Sequence, residues 1–237
     1  MVPGATRTTQ TLDITSRHLC GSGTWIGNSM TTLNTEIYPK LIRDFFRFDH
    51  SASDGTAHRP ITLPFAYAPA ELLAEAEQLP YDDRTVNRCY VWGPAGKPDP
   101  GCDLLTSTDT QYTAQIDLTS YPKIKQFIDS LTEIGPVTYL TFKRMAPEGY
   151  IMPHIDSECN PYKIYVPLSW PEGSQFKILG QGNVDFSELK PNLINTSGHM
   201  HAVVNDSSES RIIFSFYVDW SCPGWQKYLE HRPVGVL

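Results

Sequence analysis

Apolar positions recur at intervals of three and four in residues 33–48, where Ile37, Leu41, Ile42, Phe45 and Phe46 form one stripe beginning around Pro39. That is the period of a helix with one core-facing side. A second amphipathic stretch, PAELLAEAEQLP at 69–80, opens on Pro69 and is stopped by Pro80, because proline suits a first helical turn and breaks an interior one. The third helix is the best marked. Ser120 is its expected N-cap, Pro122 sits in the first turn, and Ile124, Phe127, Ile128, Leu131 and Ile134 share one face before Gly135-Pro136 ends it. Beyond that point the period falls to two. VTYLTFKRM, GYIMPHI, KIYVPLSW, SQFKIL, PNLIN, HAVV and RIIFSFYVDW, separated by turn residues such as Pro147-Glu148-Gly149 and Glu172-Gly173, read as short strands. Helices followed by strands predict an α+β chain whose C-terminal half is a double-sheet jelly roll or barrel, with the helices flanking it on the N-terminal side. A further strand is expected at 88–92, followed by a Pro/Gly-rich loop at 93–103 long enough to act as a lid. Residues 1–32, rich in Thr, Ser and Gly without a period, read as a loop-rich arm ahead of one domain at 33–237.

Composition narrows the function classes. At 237 residues and 40% hydrophobic content the chain can bury a substantial core. A formal net charge of −7 and a pI near 5.4 argue against a nucleic-acid partner, which calls for a basic surface. No apolar stretch approaches the roughly 20 residues needed to span a bilayer, and the N-terminus lacks a signal-peptide core. A cytoplasmic protein with no membrane partner is expected. The five cysteines show no CxxC spacing, so neither a disulfide framework nor a zinc knuckle is indicated. Cys159, three residues after Asp156, reads as a bystander. Nothing in the sequence speaks to oligomeric state.

The candidate chemistry lies in the last third. His154 and Asp156 stand two apart in GYIMPHIDSE, so on an extended segment both side chains point to one face. A third ligand can come from His201, beside the β-branched pair Val203-Val204. Two imidazoles and one carboxylate are the ligand set of a non-haem Fe(II) oxygenase site. His199 shares a face with His201 and either alone could serve.

YLTFKRMAPEGYIMPHID and HAVVNDSSESRIIFSFYVDW resemble the aspartyl/asparaginyl β-hydroxylase-like branch of the Fe(II)/2-oxoglutarate dioxygenases, over roughly residues 137–220. In that family a metal-binding His is followed by an Asn-Asp turn, an Arg ten residues on, and an apolar strand ending in Val-Asp. His201, Asn205-Asp206, Arg211 and Val218-Asp219-Trp220 reproduce this, and the spacing to Arg211 selects His201 over His199. The resemblance implies a double-stranded β-helix, Fe(II), 2-oxoglutarate as cosubstrate, and O2. It also implies hydroxylation of an unactivated C–H bond, with release of succinate and CO2, the substrate being a free amino acid or a small peptide.

A cosubstrate with two carboxylates needs a cation for its buried distal end. Arg211, with a planar fork suited to a carboxylate, is the expected anchor. Ser215 and Tyr217, on its face of the strand, can add hydroxyl contacts, while Ile212, Phe214 and Phe216 pack the other way. Lys163 and Tyr165, on one face of the strand after the His154 segment, are expected to assist. Trp92, Tyr139, Thr141, Arg144 and the 93–103 loop are the candidate substrate contacts. Aliphatic halogenases of this superfamily place Gly or Ala where Asp156 stands, and its nucleic-acid demethylases carry a second Arg where Tyr217 stands, so neither chemistry is expected. A cupin-type metal enzyme that does not use 2-oxoglutarate and a non-catalytic ligand-binding jelly roll remain alternatives.

Overall fold

Helical and strand periodicity separate at Gly135-Pro136 in the computed structural model, which describes residues 33–47, 57–81, 117–156 and 162–229 and the backbone of 87–92. Residues 1–32, the 93–103 loop, Cys159 and the Trp92 side chain lie outside the described residues. Helix α1 (Lys40–Arg47) follows Pro39 as expected. Its eight residues bury Ile42 and Phe45, whereas Leu41 is 53% exposed. Leu41 stands one residue, about 100° of helix rotation, from Ile42, so a helix contacting one surface cannot bury the whole predicted stripe. Helix α2 (Pro69–Ala76) and helix α3 (Pro122–Ile134) run as the prolines dictate.

The N-terminus of α3 departs from expectation. Ser120 closes a 3-10 turn, Leu118–Ser120, and Tyr121 takes the N-cap position without a side-chain bond. The missing acceptor comes from α2 instead: the Glu75 carboxylate accepts from the N–H groups of Lys123 at 3.0 Å and Ile124 at 2.9 Å. One side chain thus satisfies two orphan donors and ties two helices together.

The strands are β1 (His58–Pro60), β2 (Asn87–Trp92), β3 (Val137–Met145), β4 (Tyr150–His154), β5 (Lys163–Ser169), β6 (Ser174–Ile178), β7 (Gly182–Asn183), β8 (Asn192–Ile194), β9 (His201–Asn205) and β10 (Arg211–Val218), followed by the short helix α4 (Pro223–Tyr228). They form a six-stranded sheet, ordered β1-β8-β5-β10-β3-β2, and a four-stranded sheet, ordered β4-β9-β6-β7. Every strand pairing among the described residues is antiparallel. The short β1 and β7 carried no sequence signal. No described helix is long and apolar enough to cross a membrane.

Alternation along β10 shows how the layers stack. Ile212, Phe214, Phe216 and Val218 join Leu72, Phe127, Leu131 and Trp225 in one core, between the large sheet and helices α2, α3 and α4. Ile213, one residue out of phase, packs with Tyr165, Phe176 and Val203 between the two sheets. The outer face of the small sheet, with Ala202 and Val204, is covered by Tyr38, Ile42 and Phe45. The result is helices, large sheet, small sheet and α1 in succession, with two faces of each sheet buried.

Two turns hold the sheets in register. Gly173 adopts φ +94° where an added Cβ would lie 2.2 Å from the Asp206 carbonyl oxygen, and its own carbonyl accepts from Asp206 N–H at 3.2 Å. Only glycine suits both conditions. Asn205, fully buried, donates through Nδ2 to the carbonyls of Met145, Ala146 and Glu209, while its Oδ1 accepts from Ser174 and Ser207. It therefore pins the β3–β4 turn to the end of β9. Asn205→Ala leaves several buried groups unpaired at about 1–3 kcal/mol each. We expect a loss of about 3 kcal/mol or more, lowering the thermal midpoint by roughly 6–12 °C, measured by calorimetry.

Candidate active site

β4 and β9 bring the histidines together. His154 pairs directly with His201, and their ring centroids are 4.2 Å apart. A register shift between Ile151 and His154 places an extra residue in β4, at the stretch containing Pro153, a residue that cannot donate to the ladder. Ile151 and His154 are three apart and would face opposite ways in a regular strand; the bulge lets both line one cavity. Phe176 stacks parallel on the His201 ring with centroids 5.4 Å apart.

Each imidazole is oriented by a main-chain carbonyl two residues earlier. His154 Nδ1 donates to Met152 O at 2.8 Å and His201 Nδ1 to His199 O at 3.1 Å. Since a carbonyl only accepts, the proton sits on Nδ1 and Nε2 keeps its lone pair. Both Nε2 atoms face Asp156 Oδ1, at 3.4 Å from His154 and 3.8 Å from His201. Ligands at right angles and about 2.1 Å from an ion lie about 3 Å apart, so the trio needs little adjustment to hold one ion. Their ligand atoms all fall within 4.8 Å of one another. Burial pushes the His201 imidazole down to about 3, only partly offset by Asp156, so its ring is neutral. Burial alone would raise the Asp156 carboxyl. The Lys163 ammonium, helped by the charge of Lys143, outweighs it and holds the group well below the usual carboxylate range.

The cavity continues from the triad past Lys143, Lys163 and Tyr165 to Arg211, between walls of Ile151, Phe176, Val203 and Ile213. Its open space is about 430 Å³ counted out to its mouth. Three cations against one carboxylate line this interior, in a chain of net charge −7. The surplus fits an anionic ligand. Arg211 is 2% exposed, its guanidinium stands 4.8 Å from the Trp170 ring, and its Nε and Nη1 donate to no acceptor. Burial pulls it down to about 9, which leaves it a cation at neutral pH. A buried unpaired guanidinium beside a three-ligand cluster fits a carboxylate that chelates the ion at its other end.

The remaining predicted residues divide. Tyr165 lines the cavity with Arg211 and the triad. Lys163 lines it too, but its Nζ donates to Asp156 Oδ2 at 2.8 Å. Ser215 is buried between Tyr165 and Thr141 in the register, with Oγ unpartnered, and is not on the cavity wall. Arg144 stands off the cavity, its guanidinium 4.4 Å from the centre of the Tyr81 ring, and the preceding Lys143 is the cavity cation. Tyr139 sits at φ 54° in a bulge of β3, edge-on to Tyr217. Trp92 ends β2 opposite Leu140. No local sequence signal marks Lys143, because only the strand pairing Ile213↔Lys143 shows that it faces Arg211's side of the sheet.

Residues 105–220 match the family model of the aspartyl/asparaginyl beta-hydroxylases. Similar solved structures include an oxidoreductase of the 2OG-Fe(II) oxygenase family from Burkholderia pseudomallei, at 16% identity over 69% of this chain and 84% of that one, TM-score 0.43. A Pseudomonas putida prolyl-4-hydroxylase is 15% identical over 70% of this chain and 92% of that one, TM-score 0.41. A collagen prolyl hydroxylase of Paramecium bursaria Chlorella virus-1 is 14% identical over 69% and 96%, TM-score 0.41. No curated protein matches the chain. The family match spans His154, Asp156, His201 and Arg211, so it covers both the cluster that could hold a metal ion and the buried guanidinium in the same cavity. Through this segment the chain is similar to the aspartyl/asparaginyl beta-hydroxylases, and that match, with the His154, Asp156 and His201 cluster inside it, supports a hydroxylase dependent on Fe(II), 2-oxoglutarate and O2.

Proposed function

We propose that this protein hydroxylates an unactivated C–H bond of a free amino acid or a small peptidic substrate, within a double-stranded β-helix formed by the two sheets. The observation that carries the reading is the unpartnered guanidinium of Arg211, buried in the same cavity as His154, Asp156 and His201. A cupin-type enzyme working without 2-oxoglutarate, or a non-catalytic jelly roll, would bury that charge to no purpose, at several kcal/mol. The substrate class follows the family's description, which names aspartyl and asparaginyl hydroxylation.

In this reading His154, Asp156 and His201 are the residues that would hold Fe(II). When bound, the metal and 2-oxoglutarate supply oxidative decarboxylation, one oxygen atom of O2 entering the substrate and the other succinate. Arg211 grips the distal carboxylate, which fixes the direction in which the keto acid end points. Tyr165, held in register opposite Ser215, forms the cavity wall beside it. Ile151, Phe176, Val203 and Ile213 keep water from the reacting face.

The test is anaerobically reconstituted protein, screened for succinate release against pools of amino acids, short peptides and nucleosides, with products weighed for one added oxygen. Stimulation by an amino-acid or peptide pool with an oxygen-addition product is the expected result. Stimulation by nucleosides alone would overturn the substrate class, and no 2-oxoglutarate consumption in any pool with iron loaded would favour the alternatives.

A further inference from the structure

Asp156 presents its two oxygens to different partners. Oδ1 faces the two imidazoles, whereas Oδ2 accepts from Lys163 Nζ at 2.8 Å and from the Tyr217 hydroxyl at 3.3 Å. The two donors are register partners on β5 and β10, so their separation is set by the sheet rather than by loop conformation. The Lys163 ammonium is further confined 4.8 Å from the Tyr217 ring centre and 5.4 Å from that of Tyr165. Its side chain and that of Asp156 are 7% and 3% exposed. Asp156 is also fixed at its main chain, where its N–H donates to Thr196 O at 3.0 Å.

We infer that Lys163 and Tyr217 are positioning residues that hold Asp156 as a one-oxygen metal ligand. The inference rests on the metal-site reading above and assigns Lys163 a task different from the cosubstrate contact expected from sequence. Its physical basis is the cost of the alternative. For the carboxylate to bind an ion through both oxygens, Oδ2 would have to give up its bonds from two buried donors, Lys163 and Tyr217. A two-oxygen Asp156 would also occupy a coordination position that a chelating keto acid and O2 require.

The experiment measures Co(II) affinity by chelator competition in cosubstrate-free protein, and then 2-oxoglutarate affinity at saturating Co(II), for wild type, Lys163→Met and Tyr217→Phe. Changing an outer partner of a metal ligand typically costs about 10- to 100-fold in metal affinity. That loss is expected for Lys163→Met, together with a changed Co(II) visible spectrum, while 2-oxoglutarate affinity shifts less than about threefold. Tyr217→Phe removes one hydroxyl and no packing volume. It should lose about 3- to 10-fold in Co(II) affinity, and it carries the test if Lys163→Met does not fold. Wild-type Co(II) affinity in both variants would overturn the inference, as would Lys163→Met weakening only 2-oxoglutarate. A wild-type chain that binds no Co(II) would instead sink the metal-site reading itself.

Discussion

Arg211→Ala is expected to weaken 2-oxoglutarate binding by roughly 10² to 10³ while leaving iron content intact. The guanidinium is 2% exposed with two donors unpaired, so an incoming carboxylate finds a cation already stripped of water and held beneath Trp170. Truncating one partner of a buried ion pair typically costs about 3–5 kcal/mol, which sets that factor. Arg211→Lys keeps the charge and loses the planar fork, and should fall between wild type and Ala. The anaerobic charge-transfer absorbance of the Fe(II)/2-oxoglutarate complex reports the dissociation constant directly. A second readout separates binding from folding. The unpaired charge burdens the cosubstrate-free fold, so Arg211→Met, which retains much of the volume, is expected not to lower the thermal midpoint while abolishing tight binding. An unchanged dissociation constant in Arg211→Ala would move the anchor to Lys143, which lines the same cavity.

The features legible in the sequence are those encoded locally. The alternation Arg211-Ile212-Ile213-Phe214 assigns each residue of β10 to a sheet face without knowledge of its neighbours, and the structure keeps that assignment. The i, i+2 relation of His154 and Asp156, the proline starts of α2 and α3, and the turn at Glu172-Gly173 are of the same kind. Features that depend on pairing were hidden. Lys143 rather than Arg144 faces the cavity because it pairs with Ile213 while Arg144 pairs with Ile212, and the bulge at Tyr139 is visible only in the mismatch of Ser215↔Thr141 with Tyr217↔Thr138. Glu75 caps α3 across a gap of about fifty residues, so no local capping pattern could announce it. Alternation along β5 gives the face that Lys163 shares with Tyr165 but not its partner, so its bond to Asp156 is visible only in the structure.

Replacement of His201 by Ala is expected to abolish stable metal binding, with a loss well beyond the ~100-fold that outer partners of a ligand cost, whereas His199→Ala should retain one ion per chain. The two histidines are two residues apart, but the structure gives them different work. His201 presents Nε2 to Asp156 Oδ1 from a ring fixed by Phe176 on its face and by the His199 carbonyl at Nδ1. That carbonyl belongs to the main chain, so truncating the His199 side chain leaves the orienting bond in place. His199 Nε2 has no hydrogen-bond partner and stands outside the three-residue cluster. Iron per chain after anaerobic desalting decides between them. Thermal stabilisation by added Co(II) is an independent readout, because an ion bound only by the folded state raises the midpoint in proportion to its affinity. The shift should persist in His199→Ala and vanish in His201→Ala. Iron retained in His201→Ala and lost in His199→Ala would show that His199, not His201, is the ligand.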